Sequence, residues 1–307
     1  MGAQLREARR RIKSVQSTKK ITRAMELIAA SRIVKAQGRI AASKPYADAI
    51  TDVVRTVTAP GVVSDDHPLT TPRENVAAAA LVLITSDRGL AGGYSANVLR
   101  AGEQTTAKLR EQGISTVVPF LVGRKAVGFY RFRGRDVSHA WSGFSEQPTY
   151  EDAKTIGDDL LEQFVKGSTD GGVDEIHLVF THFESMATQK VTVVRLLPLD
   201  PADVPAAEDG ESAGQTALME FEPEGAGVLD ALLPRYLTAK IYAAMLEAAA
   251  SEQAARRRAM KSATDNADEL IKKLTRDANA ARQAEITQEI MEIVGGAEAL
   301  AGTGSEL

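Results

Sequence analysis

Between an apolar run ending at Thr85 and a helical pattern beginning at Tyr94 lies Ser86-Asp87-Arg88-Gly89-Leu90-Ala91-Gly92-Gly93. A glycine-rich turn in that place is where a phosphate sits in a dinucleotide fold, facing backbone N–H groups and a helix N-terminus. The spacing is wrong for it. It is neither G-x-G-x-x-G nor G-x-x-x-x-G-K-[ST], and no lysine follows to reach a phosphate. The competing reading is a tight strand-to-helix connection in which Gly89, Gly92 and Gly93 relieve backbone crowding. Asp87 and Arg88 then form a local ion pair or part of a contact surface.

Other reactive residue types are scattered. His67, His139, His177 and His182 show no metal-ligand spacing, and two histidines five apart on a strand face opposite sides. Asp158 with Asp159, and Asp174 with Glu175, read as adjacent carboxylates on exposed faces rather than a facing acid-base pair in a pocket. The complete absence of cysteine excludes disulfides, thiolate metal sites and thiol nucleophiles. No catalytic residue, cofactor or metal site can be nominated.

A stripe of cations is more informative. Arg9, Arg10, Arg11, Lys13, Lys19, Lys20, Arg23, Arg32, Lys35, Arg39 and Lys44 run along one segment, and residues 1–55 hold 13 basic against four acidic side chains. Residues 200–230 hold nine acidic and no basic ones, so the net charge of -4 averages dissimilar parts. A basic rod fits a solvated face, nucleic acid or an acidic protein surface. Tyr46 is the one aromatic in the first 57 residues, which gives nucleic-acid bases little to stack on.

The elements that carry these residues follow from proline, which breaks helix interiors. All 11 prolines lie from Pro45 to Pro234, whereas residues 235–294 contain neither glycine nor proline. Leu5, Ala8, Ile12, Val15, Ile21, Met25, Ile28, Ile33, Ala36 and Ile40 mark a narrow coiled-coil seam. Pro45 is either a kink or the first turn of a continuing helix. Ala263, Ala267, Leu270, Leu274, Ala278, Ala281, Ile286, Ile290 and Ile293 mark the facing seam. Strand-helix alternation between the two predicts a small, largely parallel sheet ending in an antiparallel hairpin. The expected fold is thus α/β plus long helices: an antiparallel two-helix coiled coil of the N- and C-terminal helices with a small Rossmann-like α/β domain. The expected parts are an N-terminal helix over 1–58, the α/β domain over 74–198, an acidic loop over 199–227 and a C-terminal helix over 228–307. No run approaches the roughly 18 apolar residues of a membrane span, and the start is too charged for a secretory signal, so the chain is expected to be soluble or peripheral.

Three blocks resemble a known family. Ile12-Lys13-Ser14-Val15-Gln16-Ser17-Thr18-Lys19-Lys20-Ile21-Thr22-Arg23-Ala24-Met25-Glu26, the central Thr85-Ser86-Asp87-Arg88-Gly89-Leu90, and Ala281-Arg282-Gln283-Ala284-Glu285-Ile286-Thr287-Gln288-Glu289-Ile290 are similar to the gamma subunits of F-type ATP synthases. The resemblance implies a non-catalytic rotor in the central stalk, coupling ion-driven rotation of the membrane c-ring to conformational cycling of the catalytic beta subunits. Expected partners are the alpha and beta subunits, epsilon and the c-ring, with no directly bound nucleotide, no nucleic acid and no cofactor. The expected location is the cytoplasmic face of a bacterial plasma membrane. By the same resemblance Lys19, Lys20, Arg23 and Met25 meet an acidic lever of beta. Arg282 and Gln283 catch a beta loop, Ile286, Ile290, Ile293 and Val294 turn in an apolar bearing, and residues 234–250 belong to the foot. Ala91 stands where the family often has cysteine, and the chloroplast dithiol insertion is absent, which points to a bacterial type. A nucleotide-binding enzyme and a basic coiled-coil nucleic-acid adaptor are the alternatives.

Overall fold

A computed structural model describes residues 2–57, 69–199 and 225–303. The acidic loop expected over 199–227 falls almost wholly outside the described residues, as does His67. Among the described residues the elements are α1 (Gly2–Val57), β1 (Ala78–Ile84), α2 (Tyr94–Glu111), β2 (Thr116–Val122), α3 (Arg124–Phe132), β3 (His139–Trp141), α4 (Tyr150–Lys166), β4 (Glu175–Phe183), β5 (Gln189–Leu197) and α5 (Gly225–Thr303). The chain divides into two compact units, residues 1–28 with 257–307, and residues 29–256.

The larger unit is built on a sheet of order β3-β2-β1-β4-β5, parallel except for the β4-β5 pair. β1 is buried along its whole length, as expected for a strand covered on both faces. Its side chains alternate. Leu81 and Leu83 pack with Val98 of α2 and Ala126 and Tyr130 of α3, whereas Ala80, Val82 and Ile84 belong to a larger core with α4 and the long helices. That core takes Ile156 and Leu160 from α4, Ile50, Val54 and Val57 from α1, and Leu237, Ile241 and Met245 from α5.

This packing settles the question at Pro45. α1 is a single helix through it, and α5 likewise runs through Pro234. A proline inside a helix costs about 3 kcal/mol. Burying Ile50, Val54 and Val57 immediately beyond it contributes roughly 1.5–3 kcal/mol each, so packing wins over the local penalty.

In the smaller unit the two long helices run antiparallel. Lys19 Nζ pairs with Asp268, and the Thr22 and Thr264 hydroxyls lie 2.8 Å apart. Along α1 the inward positions recur three and four apart: Leu5, Ala8, Ile12, Val15, Lys19, Thr22, Glu26, Ala29, Ile33, Ala36 and Ile40 are all buried or half-buried. The expected seam is therefore corrected in its middle. Ile21 and Ile28 are exposed, at 58% and 52%, and Met25 is half-buried. A constant heptad register carries Lys19, Thr22 and Glu26 inward instead, and the apolar side chains that looked like seam point outward. On α5 the same register selects Thr264, Ala267, Ile271, Leu274, Ala278 and Ala281, leaving Leu270 exposed.

Candidate functional site

The loop after β1 is positioned by Asp87. Its carboxylate accepts hydrogen bonds from Gly143 N at 2.8 Å, Ser145 N at 3.0 Å and Arg124 N at 3.0 Å. Arg124 N opens α3, so Asp87 supplies the anion at that helix N-terminus, in the place an external phosphate would take. Asp87 and Arg88 do not pair with each other, contrary to one sequence expectation. Arg88 reaches Glu146 at 3.6 Å.

The glycine expectation also needs correction. A Cβ on Gly89 would meet Lys125 Nζ at 3.6 Å and one on Gly93 would meet Asn97 at 3.5 Å, both ordinary contacts. Within the loop only Leu90, φ 65°, and Gly92, φ 58°, have left-handed backbone. Crowding falls instead on Gly123, which follows β2: φ is 96° and a Cβ would lie 2.3 Å from the Thr85 carbonyl oxygen.

Asp174 is corrected as well. It is 1% exposed and accepts from Ala77 N at 2.8 Å, Ala78 N at 3.1 Å, Ser168 N at 3.0 Å and Arg73 Nη1 at 2.6 Å. Its carboxylate thereby ties the start of β1 to the 3-10 turn Ser168–Asp170 inside the glycine-rich 167–172 loop. The described histidines sit in carboxylate pairs: His139 with Asp159 at 2.7 Å, His177 with Glu175 at 2.8 Å, and His182 with Glu247. Among the described residues no group of His, Asp and Glu could hold a metal ion.

The candidate contact residues are placed as follows. Lys19 is engaged across the seam by Asp268, whereas Lys20 is exposed and Arg23 is exposed with one nitrogen 2.8 Å from Glu26. Arg282 and Gln283 are exposed on α5. Ile286, Ile290, Ile293 and Val294 are all exposed, Ile293 to 71%. Pairs such as Lys19 with Asp268 put residue 286 opposite the first residues of α1. Two arginines of the basic stripe serve the larger unit: Arg32 pairs with Glu146, and Arg39 Nη2 lies 3.4 Å from Gln147.

Sequence reasoning missed Glu26, 7% exposed at a seam position. Its only signal was the heptad count. Glu26→Leu is expected to stabilise the helix pair by about 1 kcal/mol, because a buried ion pair is often no better than an apolar side chain of similar size. Arg23, 57% exposed, is left in water rather than stranded. The midpoint of thermal unfolding at 222 nm checks it; a lower midpoint would show that Glu26 contributes net stability.

A family profile described as ATP synthase matches residues 4–300. The ATP synthase gamma chain of Kineococcus radiotolerans is 61% identical over 306 residues, covering 99% of each chain. That of Acidothermus cellulolyticus is 60% identical and covers all of both. The fold is similar to a chain of the Euglena gracilis mitochondrial ATP synthase OSCP/F1/c-ring structure, with a TM-score of 0.64 at 17% identity, covering 100% of this chain and 98% of that one. A chain of the Tetrahymena thermophila mitochondrial central stalk and c-ring gives 0.59 at 22% identity, covering 79% of this chain and 99% of the other.

Proposed function

The chain belongs to the ATP synthase gamma-chain family, and from that membership we propose that it is the central rotor shaft of an F-type ATP synthase. The full-length relation to bacterial gamma chains carries this reading. The shaft has no catalytic site of its own. It sits within the ring of alpha and beta subunits, rests with epsilon on the c-ring, and lies at the cytoplasmic face of the plasma membrane. No helix among the described residues is long and apolar enough to cross a membrane, which fits peripheral attachment.

A shaft can act on nucleotide chemistry it does not perform. It contacts successive conformations of each beta subunit differently, and each contact biases that subunit's equilibrium by its difference in free energy. Two kinds of surface suit two tasks. Lys20 and Arg23, with Ile21 and Ile28 beside them, offer charge and apolar area together on the outer face of α1, which suits pushing on an acidic lever; Lys19 and Met25 border it. Ile286, Ile290, Ile293 and Val294 offer apolar area with few directional bonds, which suits a bearing that must slip. Arg282 and Gln283, just before them, offer hydrogen bonds that form and break once per passage.

Affinity capture of the chain from detergent-solubilised membranes tests the reading. A single copy with three alpha and three beta subunits is expected. Recovery alone, with nucleic acid, or with measurable heat on titration of ATP into the isolated chain would replace it by one of the two alternatives. Within it, Arg282→Ala is expected to leave helix content unchanged, since alanine is the better helix former. ATP synthesis by membranes should fall about ten- to hundredfold, the scale of losing one charge-assisted hydrogen bond. Loss of ellipticity at 222 nm would make Arg282 structural instead.

A further inference from the structure

One carboxylate in the larger unit gathers three arginines from three separate parts of the chain. Glu146, in the loop between β3 and α4, pairs with Arg32 of α1, lies 3.4 Å from Arg256 Nη1 of α5, and lies 3.6 Å from Arg88 Nη1 in the loop after β1. Arg256 is 6% exposed. Its second nitrogen donates to Glu252 at 2.6 Å and to the Gly89 carbonyl at 3.3 Å. Glu252, 1% exposed, has its carboxyl pushed up by burial, with Arg256 and the Ser145 hydroxyl opposing that shift. Ser145 in turn accepts from Asp87 N at 2.9 Å. Both long helices and both loops at the carboxyl ends of β1 and β3 thus meet around Glu146, hydrogen-bonded from Arg32 and ion-paired at longer range with Arg256 and Arg88.

The placement is specific. Arg32 and Arg256 lie within four residues of the points where the chain passes from one compact unit to the other. Further down the larger unit, Tyr150 of α4 meets Tyr46 of α1 and Tyr242 of α5 edge-on, and the two helices share a buried apolar core. Apolar packing holds elements together without directional bonds, whereas an ion pair such as that of buried Arg256 has a fixed geometry and is costly to break.

We propose that Glu146 is a positioning residue for rotary coupling: it clamps the sheet-containing part to both long helices, so that torque applied to one is carried by the other. This rests on the rotor reading. Removing its charge leaves Arg32 and Arg88 without the anion they share and Arg256 with Glu252 alone, so the link between the two helices and the sheet is lost and the helices gain freedom to twist against it.

The test uses the assembled enzyme carrying Glu146→Gln, which keeps shape and removes charge. The chain has no cysteine, so Glu111→Cys, at an exposed position, gives a unique attachment point for a bead. With the catalytic hexamer immobilised and stalled, the variance of the bead's angle is expected to rise about twofold. Ion-driven ATP synthesis should fall several-fold while unloaded ATP hydrolysis stays within twofold. Glu146→Asp, which keeps the charge on a shorter arm, should lie between. An unchanged angular variance in assembled Glu146→Gln enzyme overturns the clamp, as does an equal loss of synthesis and hydrolysis. If the Gln variant does not assemble, the Asp variant decides by the same two readouts. Failure of the rotor reading itself is distinguishable, because then the unmodified chain would show no bead rotation driven by ATP.

Discussion

Asp174→Ala will destabilise the sheet-containing unit by about 3–5 kcal/mol, the range for removing one partner of a buried ion pair and leaving several donors unpaired. The single tryptophan, Trp141, stacks near Phe120 on β3 and reports unfolding of this unit in urea by fluorescence. The size of the effect follows from what one side chain satisfies. Ala77, Ala78 and Ser168 would lose the acceptor for their N–H groups, and Arg73, which also donates to the Phe164 carbonyl at 2.6 Å and lies over the Phe164 ring, would lose its counter-charge. Burial alone would raise the Asp174 pKa, but the hydrogen bonds from Ser168, Ala77 and Ala78 outweigh it and hold the carboxyl well below its ordinary range. The sign of the pH dependence follows. The unfolded chain takes up this proton near pH 4, the folded chain only at lower pH, so the contribution is complete at neutral pH and is lost progressively as pH falls below about 4. Asp174→Asn keeps the shape and should remove that acid-dependent part. An unchanged slope of stability against pH between 4 and 2 in Asp174→Asn would sink this account.

The same residue shows where the sequence was legible and where it was not. The strand-helix alternation, the antiparallel last strand and the two long helices follow from local periodicity, and they are present. Asp174 looked like an exposed neighbour of Glu175 because the groups that bury it come from far away, Arg73 and Ala77 roughly a hundred residues earlier. Glu146 was invisible for the same reason: its three arginines sit at 32, 88 and 256. Glu252 and Arg256 did carry a local signal, an acid four residues before a base on a helix, but such spacing on its own usually marks a solvated pair. The seam failed differently. A count of apolar residues followed Ile21, Met25 and Ile28, whereas geometry required an unbroken three-four alternation through Lys19, Thr22 and Glu26. Where composition and register disagree on a long helix, register governs, because a phase slip would turn the whole following face away from its partner. Apolar residues left outside such a register are therefore candidates for contact with another protein, and Ile21 and Ile28 lie beside the cations Lys20 and Arg23.

Gly123→Ala should cost about 3 kcal/mol or more, far beyond substitution of the glycines in the loop after β1, where Gly89→Ala and Gly93→Ala should each stay within about 1 kcal/mol. The three differ by geometry rather than by motif. At Gly123 two penalties combine: a left-handed φ of 96° that an L side chain rarely adopts, and a Cβ forced to 2.3 Å from Thr85 O and 2.7 Å from its carbonyl carbon. The obstacle is backbone, so no rotamer change relieves it. Thr85 N donates to Val122 O at 2.8 Å, and Thr85 Oγ1 accepts from Ala126 N at 3.0 Å, so moving Thr85 away breaks the join between β1, β2 and α3. The displacement would also reach Ser86 and Asp87, and with them the loop that carries Arg88 to Glu146. Gly92→Ala, with φ 58°, should fall between, near 1 kcal/mol. Urea midpoints of the four variants, read by Trp141 fluorescence, give the order directly. If Gly89→Ala or Gly93→Ala proves as costly as Gly123→Ala, then the loop itself, and not the carbonyl of Thr85, sets the demand for glycine here.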